Sequence, residues 1–149
     1  HSMINLKLKI SGDLEIDSHH SVEDCGICLG EAFSKALGDK KGINRYGFFL
    51  LPMDDALVRV ALDFSGRAYL NWNVVFSNSK IGNFDTELVR EFFQAFSSNA
   101  KMTLHIKKLD GFNNHHICEA IFKGLGRSIK SAVQKDETDK QIPSTKGIL

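Results

Sequence analysis

The stretch His19-His20-Ser21-Val22-Glu23 decides how this chain is read, because it returns as His115-His116-Ile117-Cys118-Glu119. The shift between the two is 96 positions. The same shift pairs Leu8 with Leu104, Ile10 with Ile106, Leu29 with Leu125, Gly30 with Gly126 and Ala36 with Ala132. Each copy holds an alternating stretch, a turn, the His-His-x-x-Glu motif and a helical pattern, in that order. Recurrence of this kind is the mark of a duplicated supersecondary unit.

Outward from the first copy, Ile4 to Ile10 alternates apolar and polar residues, which predicts a half-buried strand. Ser11-Gly12-Asp13 breaks it. Val22, Cys25, Leu29, Phe33, Ala36 and Leu37 fall at helical spacing and predict a helix over 21–37, ended by Gly38-Asp39. Arg45 to Leu51 reads as a strand stopped by Pro52. Two further strands, 56–64 and 68–76, are predicted to form a hairpin through Ser65-Gly66-Arg67. Asp85 is expected to cap a helix through Asn99, with Leu88, Phe92, Phe93 and Phe96 on one face. A strand over 102–109, a turn and a helix over 116–133 follow. The sum is an α+β protein of about five strands and three helices, two sheets with helices packed against them. Residues 1–53 form a first half-repeat; residues 54–149 form a second, which carries a tail.

The second copy is preceded by two strands and a helix, and the first is not. The expectation is a first half truncated by roughly forty residues. A duplication that was never complete is the competing explanation, and His1-Ser2 as the remnant of a tag is also open.

Composition narrows the function classes. In 149 residues, Lys+Arg is 19 against 18 for Asp+Glu, a net charge of +1. That excludes the general basic footprint of a nucleic-acid binder. Hydrophobic residues at 42% argue against disorder. Three cysteines cannot close a disulfide set, so a reducing, cytoplasmic setting is expected. No apolar run approaches the ~20 residues of a membrane helix, and no signal peptide is legible at the N-terminus.

Four of the six histidines lie in the two motifs. On a helix, Glu23 shares a face with His19 and Glu119 with His115, while adjacent histidines point about 100° apart. The members of each pair therefore suit two different metal ions. Imidazole with carboxylate suits Mn, Fe, Ni or Zn. The plain alternative is a polar first turn with solvated histidines; recurrence at matched positions favours ligation. Cys25-x-x-Cys28 reads as core packing, since Cys25 is on the apolar stripe, and Cys118 as a buried bystander. Arg45, Arg67, Lys123 and Ser144-Thr145-Lys146 are types that grip phosphate. Each taken singly also fits a solvated surface residue, and for the tail the two readings stay open.

Seven runs together resemble imidazoleglycerol-phosphate dehydratase: 17–24 (Asp-Ser-His-His-Ser-Val-Glu-Asp), 42–47 (Gly-Ile-Asn-Arg-Tyr-Gly), 52–57 (Pro-Met-Asp-Asp-Ala-Leu), 63–67 (Asp-Phe-Ser-Gly-Arg), 84–89 (Phe-Asp-Thr-Glu-Leu-Val), 114–116 (Asn-His-His) and 142–147 (Ile-Pro-Ser-Thr-Lys-Gly). The resemblance covers essentially the whole chain. It implies a duplicated unit like ribosomal protein S5 domain 2, and a homo-oligomer of twenty-four subunits with sites shared between them. It implies two manganese ions per site, held by His19, His20, Glu23, His115, His116 and Glu119, with Glu91 at a further ligand position. Arg45, Arg67, Lys123, Ser144, Thr145 and Lys146 fall on the family's phosphate-binding positions. The catalytic work is expected of Glu23, Glu119, His19 and His115.

The implied reaction is loss of water from imidazole glycerol phosphate to give imidazole acetol phosphate, in histidine biosynthesis. The family begins with a strand bearing a catalytic glutamate and a helix bearing a metal-ligating His, and neither is in this sequence. His1 falls near the end of that helix. The chain as given is thus expected to show little turnover, and a non-catalytic metal- and phosphate-binding fragment is the alternative reading.

Overall fold

In the computed structural model, which describes residues 1–136, 138 and 141–149, the first motif opens helix α1 (His19–Leu37). Three strands follow: β1 (Tyr46–Met53), β2 (Ala56–Asp63) and β3 (Tyr69–Asn73). A small hairpin, β4 (Lys80–Ile81) and β5 (Phe84–Asp85), leads into α2 (Glu87–Asn99). Then come β6 (Thr103–Asp110) and α3 (Asn114–Ala132), which opens on the second motif. The protein is α+β, with three helices and two sheets among the described residues. The two motif helices are equally long, at 19 residues each.

The main sheet has the order β1-β2-β6-β3. β1 pairs β2 and β2 pairs β6, both antiparallel, while β3 runs parallel to β6. The predicted hairpin between the second and third strands is therefore corrected: β6 lies between them. Parallel β3 and β6 require a crossover, and α2 supplies it. Alternation marks which face of a strand is buried but does not name its neighbour.

Two more expectations change. Pro52 does not stop the first strand but lies inside β1, where an edge strand tolerates the missing N–H. Residues 4–10 form no strand, and Ile4, Leu6, Leu8 and Ile10 are exposed. A strand exists through its ladder, and among the described residues none pairs with this segment.

Ala56, Val58, Val60 and Leu62 of β2 and Leu104 and Ile106 of β6 point to one face. There they meet Ile117, Ala120, Ile121 and Ile129 of α3 and Phe93 and Phe96 of α2. α3 lies on β1 and β2, α2 beside β3, and α1 on α2. The α1–α2 approach is set by Gly26 and Gly30, one turn apart. A Cβ at either would fall 2.7 Å from a carbonyl oxygen of α2, that of Phe92 or Phe96. Small residues at i and i+4 thus let the two backbones touch.

Candidate active site

The second motif is held at the N-terminus of α3. Asn113 is the N-cap, and its side chain accepts the N–H groups of His115 (2.9 Å) and His116 (3.3 Å). Asn114 is buried, and its Oδ1 accepts from the Ser77 N–H at 3.0 Å. His115 Nε2 lies 3.2 Å from Glu119 Oε2, and Lys123 Nζ lies 2.7 Å from Glu119 Oε1. These three side chains are spaced by four residues, so they form one row along the helix. Lys123 first, and His115 after it, hold the Glu119 carboxyl below the usual carboxylate range. Glu119 is therefore a carboxylate at neutral pH, able to ligate or to accept a proton.

The turn between β1 and β2 reaches the same place. Asp55 Oδ1 is 2.6 Å from His116 Nδ1, and its Oδ2 accepts the N–H groups of Phe112 (2.7 Å) and Asn113 (2.9 Å). The Asn113 N–H, the His116 ring and the Phe112 N–H hold the Asp55 carboxyl far below its ordinary range. Asp54 Oδ2 is 3.5 Å from His116 Nε2 and is largely exposed. Neither aspartate is singled out by spacing. The only sequence signal is their place in the Pro-Met-Asp-Asp-Ala run.

The first motif is built more loosely. Asp17 Oδ1 accepts the His19 N–H at 2.8 Å, while the N-cap Ser18 makes no side-chain capping bond. His20 Nδ1 is 3.3 Å from Asp13 Oδ2, which raises the His20 pKa. Glu23 is exposed. Glu91 is on α2, 3.2 Å from the Arg90 guanidinium, and joins neither motif. Burial pushes the Cys118 thiol up to about 11, which disfavours the thiolate in the metal-free protein.

Among the described residues, no three His, Cys, Asp or Glu side chains gather into a metal site. The His115–Glu119 pair brings one imidazole nitrogen and one carboxylate oxygen to a common point, and this donor set fits a borderline divalent cation.

The other expected set gathers at the opposite end of β1. Arg45 donates from Nε to Asp63 Oδ1 (2.6 Å), from Nη2 to Asp63 Oδ2 (3.1 Å) and from Nη1 to the Pro143 carbonyl (2.8 Å). Gly66, at φ +75°, packs so closely on Leu149 that a Cβ would lie 2.6 Å from its carbonyl carbon. Ser144, Thr145 and Lys146 lie in the chain between those two anchor points, and Arg67, next to Gly66, is exposed. The Lys146 N–H donates to Ser144 Oγ, and the Gly147 N–H to the Ser144 carbonyl, in a tight turn. Lys123 is not brought to this group. Its Nζ touches Met53 Sδ at 3.9 Å, and Met53 is eight residues along the strand from Arg45, roughly 26 Å by strand rise.

Residues 1–129 match the profile of the family described as imidazoleglycerol-phosphate dehydratase. A protein of that name from Cereibacter sphaeroides (strain ATCC 17029 / ATH 2.4.9) is 59% identical over 150 residues, covering 100% of this chain and 77% of the relative. One from Moorella thermoacetica is 58% identical over 149 residues, covering 100% and 76%. The crystal structure of the dehydratase from Staphylococcus aureus subsp. aureus N315 superposes with a TM-score of 0.81 at 44% identity, over 86% of this chain and 72% of that one. The structure of the Pyrococcus furiosus protein in complex with (S)-C348 gives 0.81 at 41% identity, over 93% and 74%. With a family profile over most of its length, relatives near three-fifths identity and the same fold, this chain belongs to the imidazoleglycerol-phosphate dehydratases, the hydro-lyases of histidine biosynthesis.

Proposed function

We propose that this chain supplies two separate parts of a dehydratase site that is completed between copies of the chain. The substrate is imidazole glycerol phosphate and the product imidazole acetol phosphate. The observation that supports this is a separation along β1: Lys123, which pairs with Glu119, touches Met53, and Met53 is eight residues, roughly 26 Å by strand rise, from Arg45. A three-carbon chain cannot join an imidazole at one end to a phosphate at the other. The imidazole end held by one copy and the phosphate end held by another give one site of the right length. Lys123, beside Glu119, would add one phosphate contact from the copy that holds the imidazole, while the remaining phosphate contacts come from the other copy. The division into half-repeats at 53/54 belongs to this reading, with one motif in each half.

His19, His20, Glu23, Glu91, His115, His116 and Glu119 are the residues that would hold a pair of manganese ions. When bound, manganese supplies Lewis acidity that favours the deprotonated imidazole ring of the substrate. The chain's own residues do the rest. The proton to be removed is on C2 of the side chain, which has no neighbouring carbonyl and is weakly acidic. A carboxylate of the motifs, Glu23 or Glu119, accepts a proton in the course of the reaction. The hydroxyl on the carbon attached to the imidazole leaves with a proton as water, a double bond forms between that carbon and C2, and the resulting enol takes a proton at the imidazole-bearing carbon to become the C2 ketone. Arg45, Arg67, Ser144, Thr145 and Lys146 hold the phosphate and restrict the substrate to one orientation.

Two measurements test the proposal: metal content by mass spectrometry and formation of the acetol phosphate. His19→Ala and His115→Ala each lower bound manganese per chain. Dilution below the dissociation constant of the assembly lowers manganese affinity in the unaltered chain. Equal metal content in all three proteins, with no dependence on concentration, contradicts the shared-site reading.

A further inference from the structure

The second motif differs from the first in what stands behind its inner histidine. His116 backs onto Asp55, whose side chain is only 16% exposed, in a tight turn between two paired strands. His20 backs onto Asp13 at 3.3 Å, in a segment without regular pairing. We infer that Asp55 is the positioning residue of the second motif: it fixes the tautomer and aim of His116 so that Nε2 carries the lone pair offered to metal. The inference rests on the metal reading above and adds to it a residue outside the His-His-x-x-Glu pattern.

An ionised carboxylate only accepts. Asp55 Oδ2 is occupied by the N–H groups of Phe112 and Asn113, so the carboxylate cannot turn without breaking both bonds. Its Oδ1 then faces His116 Nδ1 at 2.6 Å, and that nitrogen must carry the hydrogen. In neutral imidazole the lone pair is left on Nε2. The nearest carboxylate to Nε2, that of Asp54, stands 3.5 Å off and 73% exposed, so it does not close the position. Carboxylate support behind a ligating histidine is worth about 10–100-fold in metal affinity.

The isosteric variant Asp55→Asn separates this role from a merely structural one. Its amide oxygen keeps the Phe112 and Asn113 N–H bonds, which turns the amide NH₂ toward His116. The ring must then accept at Nδ1 and carry its hydrogen on Nε2. In the metal-free chain, ¹⁵N NMR of histidine is expected to report Nδ1–H for His116 in the unaltered protein and Nε2–H in Asp55→Asn. Manganese affinity, measured by competition titration, is expected to fall about 10–100-fold in Asp55→Asn. Val60→Ala, a core truncation remote from the motif, serves as the stability control and is expected to keep the affinity. Equal affinity in Asp55→Asn, an Nε2–H tautomer in the unaltered chain, or an equal loss in Val60→Ala overturns the inference and leaves the metal reading standing. Failure of the unaltered chain to bind manganese at any concentration overturns the metal reading, and this inference with it.

Discussion

Arg45 grips Asp63 with two parallel hydrogen bonds, from Nε at 2.6 Å and Nη2 at 3.1 Å, and both side chains are mostly buried. Arg45 has φ +68° and Asp63 ends β2, so the pair closes the start of β1 against its neighbour. A third donor of Arg45 holds the Pro143 carbonyl. Three of five guanidinium N–H groups are thereby committed inside the protein, and two remain for a ligand. Asp63 aims the guanidinium; the tail is tied to the same group.

Asp63→Ala should therefore act on stability and on the tail together. Loss of two charge-assisted hydrogen bonds is expected to cost about 2 kcal/mol, read from denaturant midpoints. Proteolytic cleavage within residues 134–149 should quicken, while bound metal stays unchanged. A tail as resistant as before would show that the Arg45 contact to Pro143 does not depend on Asp63.

Arg67→Ala is expected to weaken binding of the phosphorylated substrate with no change in metal content. The side chain is exposed, so stability should stay within about 0.5 kcal/mol. Titration with the phosphorylated and the dephosphorylated compound separates the two ends of the ligand. An equal loss for both would contradict the phosphate assignment.

Gly30→Ala tests the α1–α2 contact. The added methyl meets the Phe96 carbonyl oxygen at 2.7 Å and Asn99 Cβ at 2.8 Å, and backbone cannot swing aside as a side-chain end can. Overpacking of this kind is expected to cost about 1–3 kcal/mol, against a gain in helix propensity of about 1 kcal/mol. Thermal unfolding should show a lowered Tm. An unchanged Tm would mean that α1 is free to shift on α2.

The Asp39 carboxylate is held below its ordinary range by Lys41, through the ammonium at 2.8 Å and the backbone N–H at 3.1 Å. The unfolded chain binds the proton more readily than the folded one. The contribution to stability is thus present above the unfolded carboxylate value near 4 and is lost as pH falls through the lower folded value. Asp39→Asn should flatten the acid limb of the stability profile below about pH 4 and leave its slope above pH 6 untouched. Denaturant midpoints across that range check it.

Both motif helices, the second helix and the strands β1, β2 and β6 are legible in the residues themselves, because periodicity is a local property of the chain; their ends are less so, since Pro52 lies inside β1 and Thr86, not Asp85, is the N-cap of α2. The recurrence of residue types at a shift of 96 positions is readable from the chain alone, although the strand expected at 4–10 in the first copy does not form. The motifs' chemistry is readable for the same reason: imidazole and carboxylate are what they are wherever the chain carries them. The neighbours of each element are not readable. Period two says that β2 and β3 are strands, but only the crossover through α2 sets β6 between them. Alternation over 4–10 suggests a strand, yet a ladder is a property of two segments, and one segment cannot supply it. Asp55 and Asp63 look like ordinary turn and strand-end aspartates in sequence. Their roles arise 61 residues from His116 and 18 from Arg45, by contacts that only folding creates. The separation of Lys123 from Arg45 along β1 is likewise a distance, and distances between remote residues are decided by packing, not by composition or spacing.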